Sequence, residues 1–283
     1  MTPPARRLRD PRLLQIAFHT SFLTLGIGLF EFSIPVWVPL LVLATTCGTQ
    51  WAFTKALHLP PAGYLSPIIT ALGTSLLLRT DTFWVPPLAG FLAISSKFVF
   101  RRGGRHLFNP TTFGLGAAML LTAHAWCSPS EWVENRAVLA WIVIVGLAVV
   151  HRAFRSDVTL AFLGAWGALQ AGRVLYLGQP PEVLLHQLTV GSLIIFAFFM
   201  ISDPKTTPSH RVSRIVFGVG VAVLGFTLQR SLWWTNGLVW ALLLCAPLVP
   251  LLDRLLPADR YRWPTEAHPP NATAGASSLP ALA

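Results

Sequence analysis

The sequence predicts an all-α polytopic membrane protein with about ten transmembrane helices, arranged as two inverted five-helix repeats. Three observations predict it: a composition too apolar for water, ten apolar segments of about span length, and a one-sided distribution of basic residues. The chain has 283 residues, 53% of them hydrophobic and only 11% charged. Soluble domains carry about 25% charged residues, so too few remain here to cover a water-facing surface. Lipid must solvate much of the chain.

A bilayer core of about 30 Å asks for about 20 apolar helical residues, fewer where a helix is broken or re-entrant. In the first half, Leu13–Phe30, Ile34–Ala56, Tyr64–Leu78, Phe83–Phe100 and Thr111–Trp126 meet that requirement. In the second, Ala137–Val150, Val158–Leu177, Val183–Ile201, Val212–Leu228 and Leu232–Leu256 do. The segments starting at Tyr64 and Thr111 are short, which marks them as partly re-entrant. Arg6, Arg7, Arg9 and Arg12 precede the first segment, and no small-residue cleavage site closes it. It therefore reads as a retained span rather than a signal peptide.

Alternating the loops from a cytoplasmic N-terminus sorts the 21 Lys and Arg residues. Sixteen fall inside; Arg79, Arg136, Arg173 and Arg230 fall outside; Lys97 lies within a span. Such a bias is the positive-inside pattern, and one span more or fewer would destroy it. The reading is a multi-pass protein of the inner (plasma) membrane with both termini cytoplasmic. Residues 1–12 form a basic cytoplasmic end, 13–256 the transmembrane domain, and 257–283 a Pro/Ala/Ser-rich disordered tail. The transmembrane halves run from 13 to 126 and from 137 to 256. The net charge of +10 sits in short clusters between apolar runs, so nucleic acid is not the partner. Cys47, Cys127 and Cys245 are far apart, which excludes a local thiolate metal motif and a disulfide framework.

The halves echo one another. Arg79-Thr80-Asp81 closes the third span, and Ile201-Ser202-Asp203-Pro204 the eighth. Phe108-Asn109-Pro110 enters the fifth, and Trp234-Thr235-Asn236-Gly237 the tenth. Asp81 and Asp203 lie 122 positions apart, Asn109 and Asn236 lie 127 apart. Five spans per half is odd, so a second copy starts from the opposite side and a site falls between the copies.

Pro39, Pro67, Pro86, Pro87, Pro247 and Pro250 lie in spans. Each removes a backbone donor, and Pro86-Pro87 is the best candidate for a functional helix break. Arg101 to Thr112 reads as a basic turn with two glycines leading into a helix capped by Asn109, with Pro110 first. Such a helix start, with arginines beside it, can hold a phosphate or an anionic ring; equally, it is an ordinary capped helix next to a topogenic cluster. Asp203 caps the next helix, pairs with Lys205, Arg211 or Arg214, or ligates a cation. Lys97 reads as snorkelling to the headgroups. His19, His124 and His186 lie in or near spans, and a bis-histidine haem on His124 and His186 is a further reading. No nucleophile–base pair, Walker loop or dinucleotide fingerprint is present.

At these loops the chain resembles a known family. It is similar to the flavin-bearing membrane subunits of two complexes, the D subunit of Rnf and the B subunit of the Na⁺-translocating NADH:quinone oxidoreductase. Four stretches carry the resemblance in order. The first runs from Lys97 through Gly103-Gly104 to Phe108-Asn109-Pro110, the second from Ala197 through Asp203-Pro204. The others are Arg214-Ile215-Val216-Phe217-Gly218 and Ala246-Pro247-Leu248-Val249-Pro250-Leu251-Leu252-Asp253. The resemblance implies ten helices in two inverted repeats, flavin cofactors (FMN or riboflavin), neighbouring membrane subunits of a redox complex, and coupling of electron flow to Na⁺ or H⁺ movement. Asn109, Thr111, Thr112, Asp203, Lys205 and Arg214 are then the candidate cofactor- or cation-binding residues.

One departure matters. The family attaches FMN to a threonine in a long outer insert between spans five and six. Here that connection, Cys127 to Arg136, is short and has no threonine. The covalent site does not carry over. Non-covalent flavin stays open, and so does a transporter, channel-like protein or scaffold on the same fold with no redox cofactor.

Overall fold

The computed structural model describes residues 10–30, 32–60, 63–127 and 136–263, and they are mostly helical. Arg6, Arg7, Arg9, the connection at 128–135 and the tail from 264 lie outside the described residues.

Helix α1 (Pro11–Gly28) starts where the Asp10 carboxylate accepts the Arg12 N–H at 3.0 Å. Helices α2 (Trp37–Ala56), α3 (Leu65–Leu77), α4 (Val85–Val99) and α5 (Pro110–Leu121) follow. After the connection come α6 (Arg136–Arg152), α7 (Ser156–Tyr176) and α8 (Pro181–Thr189). The chain then forms α9 (Gly191–Met200), α10 (Arg211–Arg230) and α11 (Gly237–Leu255). All ten apolar segments are helical. The eighth is two helices, α8 and α9, bent by 50° at Val190.

By length and composition, α7, α10 and α11 can each cross a membrane, and the bent α8–α9 pair is a fourth candidate. Leu40, Leu120, Ile144, Leu160, Leu175 and Leu244 are more than half exposed. The short α3 and α5 end in strands β1 (Leu78–Thr80) and β4 (Ala125–Cys127), which pair antiparallel. A 13-residue helix rises about 20 Å. The three-residue strand adds about 10 Å. The two together match the apolar thickness of a bilayer, and pairing the strands satisfies part of the backbone they expose. Arg79 turns back and donates to the carbonyls of Leu76 at 3.1 Å and Leu78 at 3.0 Å, at the broken end of α3.

Pro86 and Pro87 do not break a span. They occupy the first turn of α4, as Pro39 and Pro67 do in α2 and α3, where the missing N–H had no partner to lose. Pro247 and Pro250 do act inside α11: Pro247 sits in its tighter turn Ala246–Leu248, and Pro250 follows at the start of the stretch Val249–Leu255. The last turn of α9, Phe196–Met200, is a π-helix, closed by Ile201 N–H donating to Phe196 O at 3.0 Å. The Thr159 hydroxyl donates to Ala197 O at 2.9 Å and stabilises that widened turn from α7.

In the first half α2 packs on α3 and α4, α4 on α5, and α1 on α3. In the second α7 packs on α10, α10 on α11, and α6 on α9. Helix α5 meets α11, and α1 meets α6, joining the halves. Glycine allows the closest approaches: a Cβ on Gly114 of α5 would lie 2.6 Å from Ala89 O, and one on Gly218 of α10 would lie 2.8 Å from Val158 O.

Candidate functional site

Strands β2 (Arg101–Arg102) and β3 (Arg105–His106) form a hairpin whose turn is Gly103-Gly104, both at positive φ. That turn type needs the left-handed region twice, which glycine occupies without strain. The hairpin delivers the chain to Asn109. The Asn109 Oδ1 accepts the Thr112 N–H at 3.0 Å and the Thr112 hydroxyl at 3.1 Å, capping α5 as its sequence predicts.

The turn after α9 lies against this cap. Asn109 Nδ2 donates to Asp203 Oδ2 and to Met200 O, both at 3.4 Å. His106 Nε2 lies 3.8 Å from Asp203 Oδ2, and Lys205 N–H donates to Asp203 Oδ1 at 3.0 Å. Burial pushes the Asp203 carboxyl up, but the His106 ring, the Lys205 N–H and Thr206 outweigh it and hold the group below its ordinary value.

Arginines from both halves clamp the same turn. Arg105 donates to Lys205 O at 2.9 Å, Thr207 O at 2.5 Å, Ser209 Oγ at 3.2 Å and Asp253 Oδ2 at 3.1 Å. Arg155 Nε donates to the Thr207 hydroxyl at 3.0 Å. Its burial, with Arg214 adding to the effect and Asp157 opposing it, draws Arg155 down to about 10. Arg214 forks onto Asp157, at 2.9 Å from Nε and 2.6 Å from Nη2, and donates to Ser209 O.

A cavity of about 1070 Å³ opens between these elements. It is lined by the start of α1, by α2, α3 and α4, by the β2–β3 hairpin and α5 cap, and by Phe199, Met200 and Ser202 to Lys205. Of the six candidate residues, Asn109, Thr111, Asp203 and Lys205 line it. Thr112 stands behind Asn109, and Arg214 stands apart on Asp157. Lys97, Arg101, Arg105 and His106 make the wall basic.

Lys97 does not reach outward. Its Nζ donates to Gln50 Oε1 at 3.0 Å and Ser66 Oγ at 3.2 Å, both on the cavity wall. Sequence reasoning missed Gln50, Ser66 and Arg155, and read Arg105 only as one arginine of the basic turn. The only local signal was Gln50 itself, a polar side chain inside an apolar run. His124 Nδ1 is 2.9 Å from Asp81 Oδ1, and His186 is exposed on α8. Among the described residues, no group of three or more His, Cys, Asp or Glu side chains could hold a metal.

The fold and site together define a helical membrane protein with a basic cavity of about 1070 Å³. Residues 129–262 match the model of the NQR2, RnfD, RnfE family. The D subunit of the ion-translocating oxidoreductase complex of Stutzerimonas stutzeri is 30% identical over 169 residues, 55% of this chain and 46% of that protein. Its counterpart in Halorhodospira halophila is 24% identical over 241 residues, 60% of this chain and 67% of the relative. That of Vibrio vulnificus is 30% identical over 124 residues, 44% and 34%. The chain is a distant homologue of the D subunit of the Rnf complex, and its second half carries the NQR2, RnfD, RnfE family region. It spans about half the length of the Stutzerimonas relative.

Proposed function

We propose that the chain is an integral membrane subunit of an electron-transport complex that couples flavin-mediated electron transfer to Na⁺ or H⁺ translocation. In this reading the cavity takes FMN or riboflavin without covalent attachment. The observation that carries it is the basic cavity built jointly from the Asn109 cap and the Asp203 turn. Ligand pockets typically enclose about 300–1,000 Å³, and this one has that scale. Lys97, Lys205 and the start of α5 at Thr111 would hold the anionic end, while Phe199 supplies an aromatic inner wall. Asp203, held charged, keeps the Asn109 amide oriented. A flavin bound there would accept and pass on electrons.

Ten crossings with both ends on the cytoplasmic side, and two inverted repeats, belong to the same proposal. The matching packing pairs support it: second helix on fourth, fourth on fifth, first on third in each half. The grouping of charges supports it as well. Arg12, Arg105, Arg155, Lys205, Arg214 and Asp253 meet at one end, where Arg12 lies 4.4 Å over Trp263. Asp81 and His124 meet elsewhere, beside the β1–β4 pair. One detail differs between the copies: Asn236 sits at φ 58° and makes no side-chain cap, unlike Asn109.

The test is the visible spectrum of the protein purified without denaturation, together with the membrane subunits that co-purify. Flavin absorption released by acid precipitation supports the proposal. A Soret band turns it toward a cytochrome, and a blank spectrum toward a transporter or scaffold.

A further inference from the structure

His19 lies on α1, only 1% exposed, and lines the inner part of the cavity. Neither ring nitrogen has a hydrogen-bond partner among the described residues. Its neighbours are aromatic: the Phe199 ring sits edge-on at 4.7 Å and the Phe18 ring at 5.4 Å, and those two stack at 5.0 Å. An unpartnered polar group in such a wall is destabilising, a penalty that a phenylalanine there would not incur. A neutral imidazole offers one N–H donor and one nitrogen acceptor. The two nitrogens point in divergent directions, so one ligand edge meets one of them: a ring carbonyl facing the N–H, or a ring N–H facing the bare nitrogen.

We infer that His19 hydrogen-bonds the inner edge of a conjugated, carbonyl-bearing ring lying against Phe199, and so fixes the ring inward with any anionic tail toward Lys97. The inference rests on the flavin reading of the cavity. His19 is a binding and positioning residue; no proton or electron transfer is assigned to it.

Riboflavin and FMN are titrated separately into the purified full-length protein in detergent, and binding is read from quenching of flavin fluorescence. Wild type is compared with His19→Phe, His19→Gln and Lys97→Met, and thermal unfolding of each ligand-free protein checks the fold. We expect His19→Phe to weaken riboflavin binding about tenfold, the loss of one hydrogen bond left unmade. His19→Gln keeps a donor and an acceptor and stays within about threefold. Lys97→Met weakens FMN more than riboflavin. If Lys97→Met weakens FMN while His19→Phe binds riboflavin like wild type, the cavity reading stands and the role of His19 is overturned. If both His19 variants lose binding together with a lowered unfolding midpoint, His19 is structural only and the inference falls. If wild type quenches neither flavin, the cavity reading and the inference fall together.

Discussion

Arg105 Nε donates to the carbonyl of Lys205 at 2.9 Å, across 100 positions of sequence. Two further guanidinium nitrogens reach Thr207 O, Ser209 Oγ and Asp253, so one side chain ties the β2–β3 hairpin to the turn after α9 and to α11. A planar fork satisfies several acceptors at fixed angles, and an ammonium cannot. Arg105→Lys should therefore destabilise the protein nearly as much as Arg105→Ala, by about 3 kcal/mol. Thermal unfolding in detergent measures it. A lysine variant with the wild-type midpoint would contradict the clamp.

Gly114 makes the contact between α5 and α4. A Cβ there would stand 2.6 Å from Ala89 O and 2.7 Å from Ala93 Cβ, and backbone cannot yield as a side-chain tip does. Gly114→Ala should cost about 1–3 kcal/mol, and Gly114→Val should prevent a folded yield. Gly164, with open space around its Cβ direction, is the control: Gly164→Ala should leave the unfolding midpoint unchanged or raised.

Asp203 gives the pH dependence a sign. Its folded carboxyl lies below the ordinary value, so its contribution is present above the unfolded value and is lost as pH falls through the folded one. Wild type should lose stability as pH drops below about 4. Asp203→Asn should begin less stable at neutral pH and lose less over the same interval. Unfolding midpoints taken across that range decide it. Parallel curves for the two proteins would show that Asp203 is not held charged by the fold.

Much of this architecture was legible in the residues. The apolar runs fall on helices to within a few positions, the Asn109-Pro110 cap forms, and Gly103-Gly104 makes the tight turn. The bend at Val190 was not legible, because no proline marks it and Gly191 is one of many glycines within the spans. The π-turn at Phe196–Met200 was hidden for a similar reason: a run buried all round has no period to slip. Pro86-Pro87 misled because composition does not distinguish the first turn of a helix from its middle. Arg105 looked like one more topogenic arginine, since its acceptors are supplied by the other half of the chain. Lys97 looked exposed for want of knowing that Gln50 and Ser66 stand opposite.

Whether the two halves present their turns to one aqueous phase is decided by side-specific thiol labelling. With Cys47, Cys127 and Cys245 replaced by serine, single cysteines go in at the exposed positions Arg102 and Arg211, and at Asp81 and Glu182. In sealed inverted vesicles, a membrane-impermeant maleimide should label the first pair and spare the second. Labelling of Arg102→Cys and Arg211→Cys from opposite sides would contradict the account, because no common cavity could then be built from the Asn109 cap and the Asp203 turn.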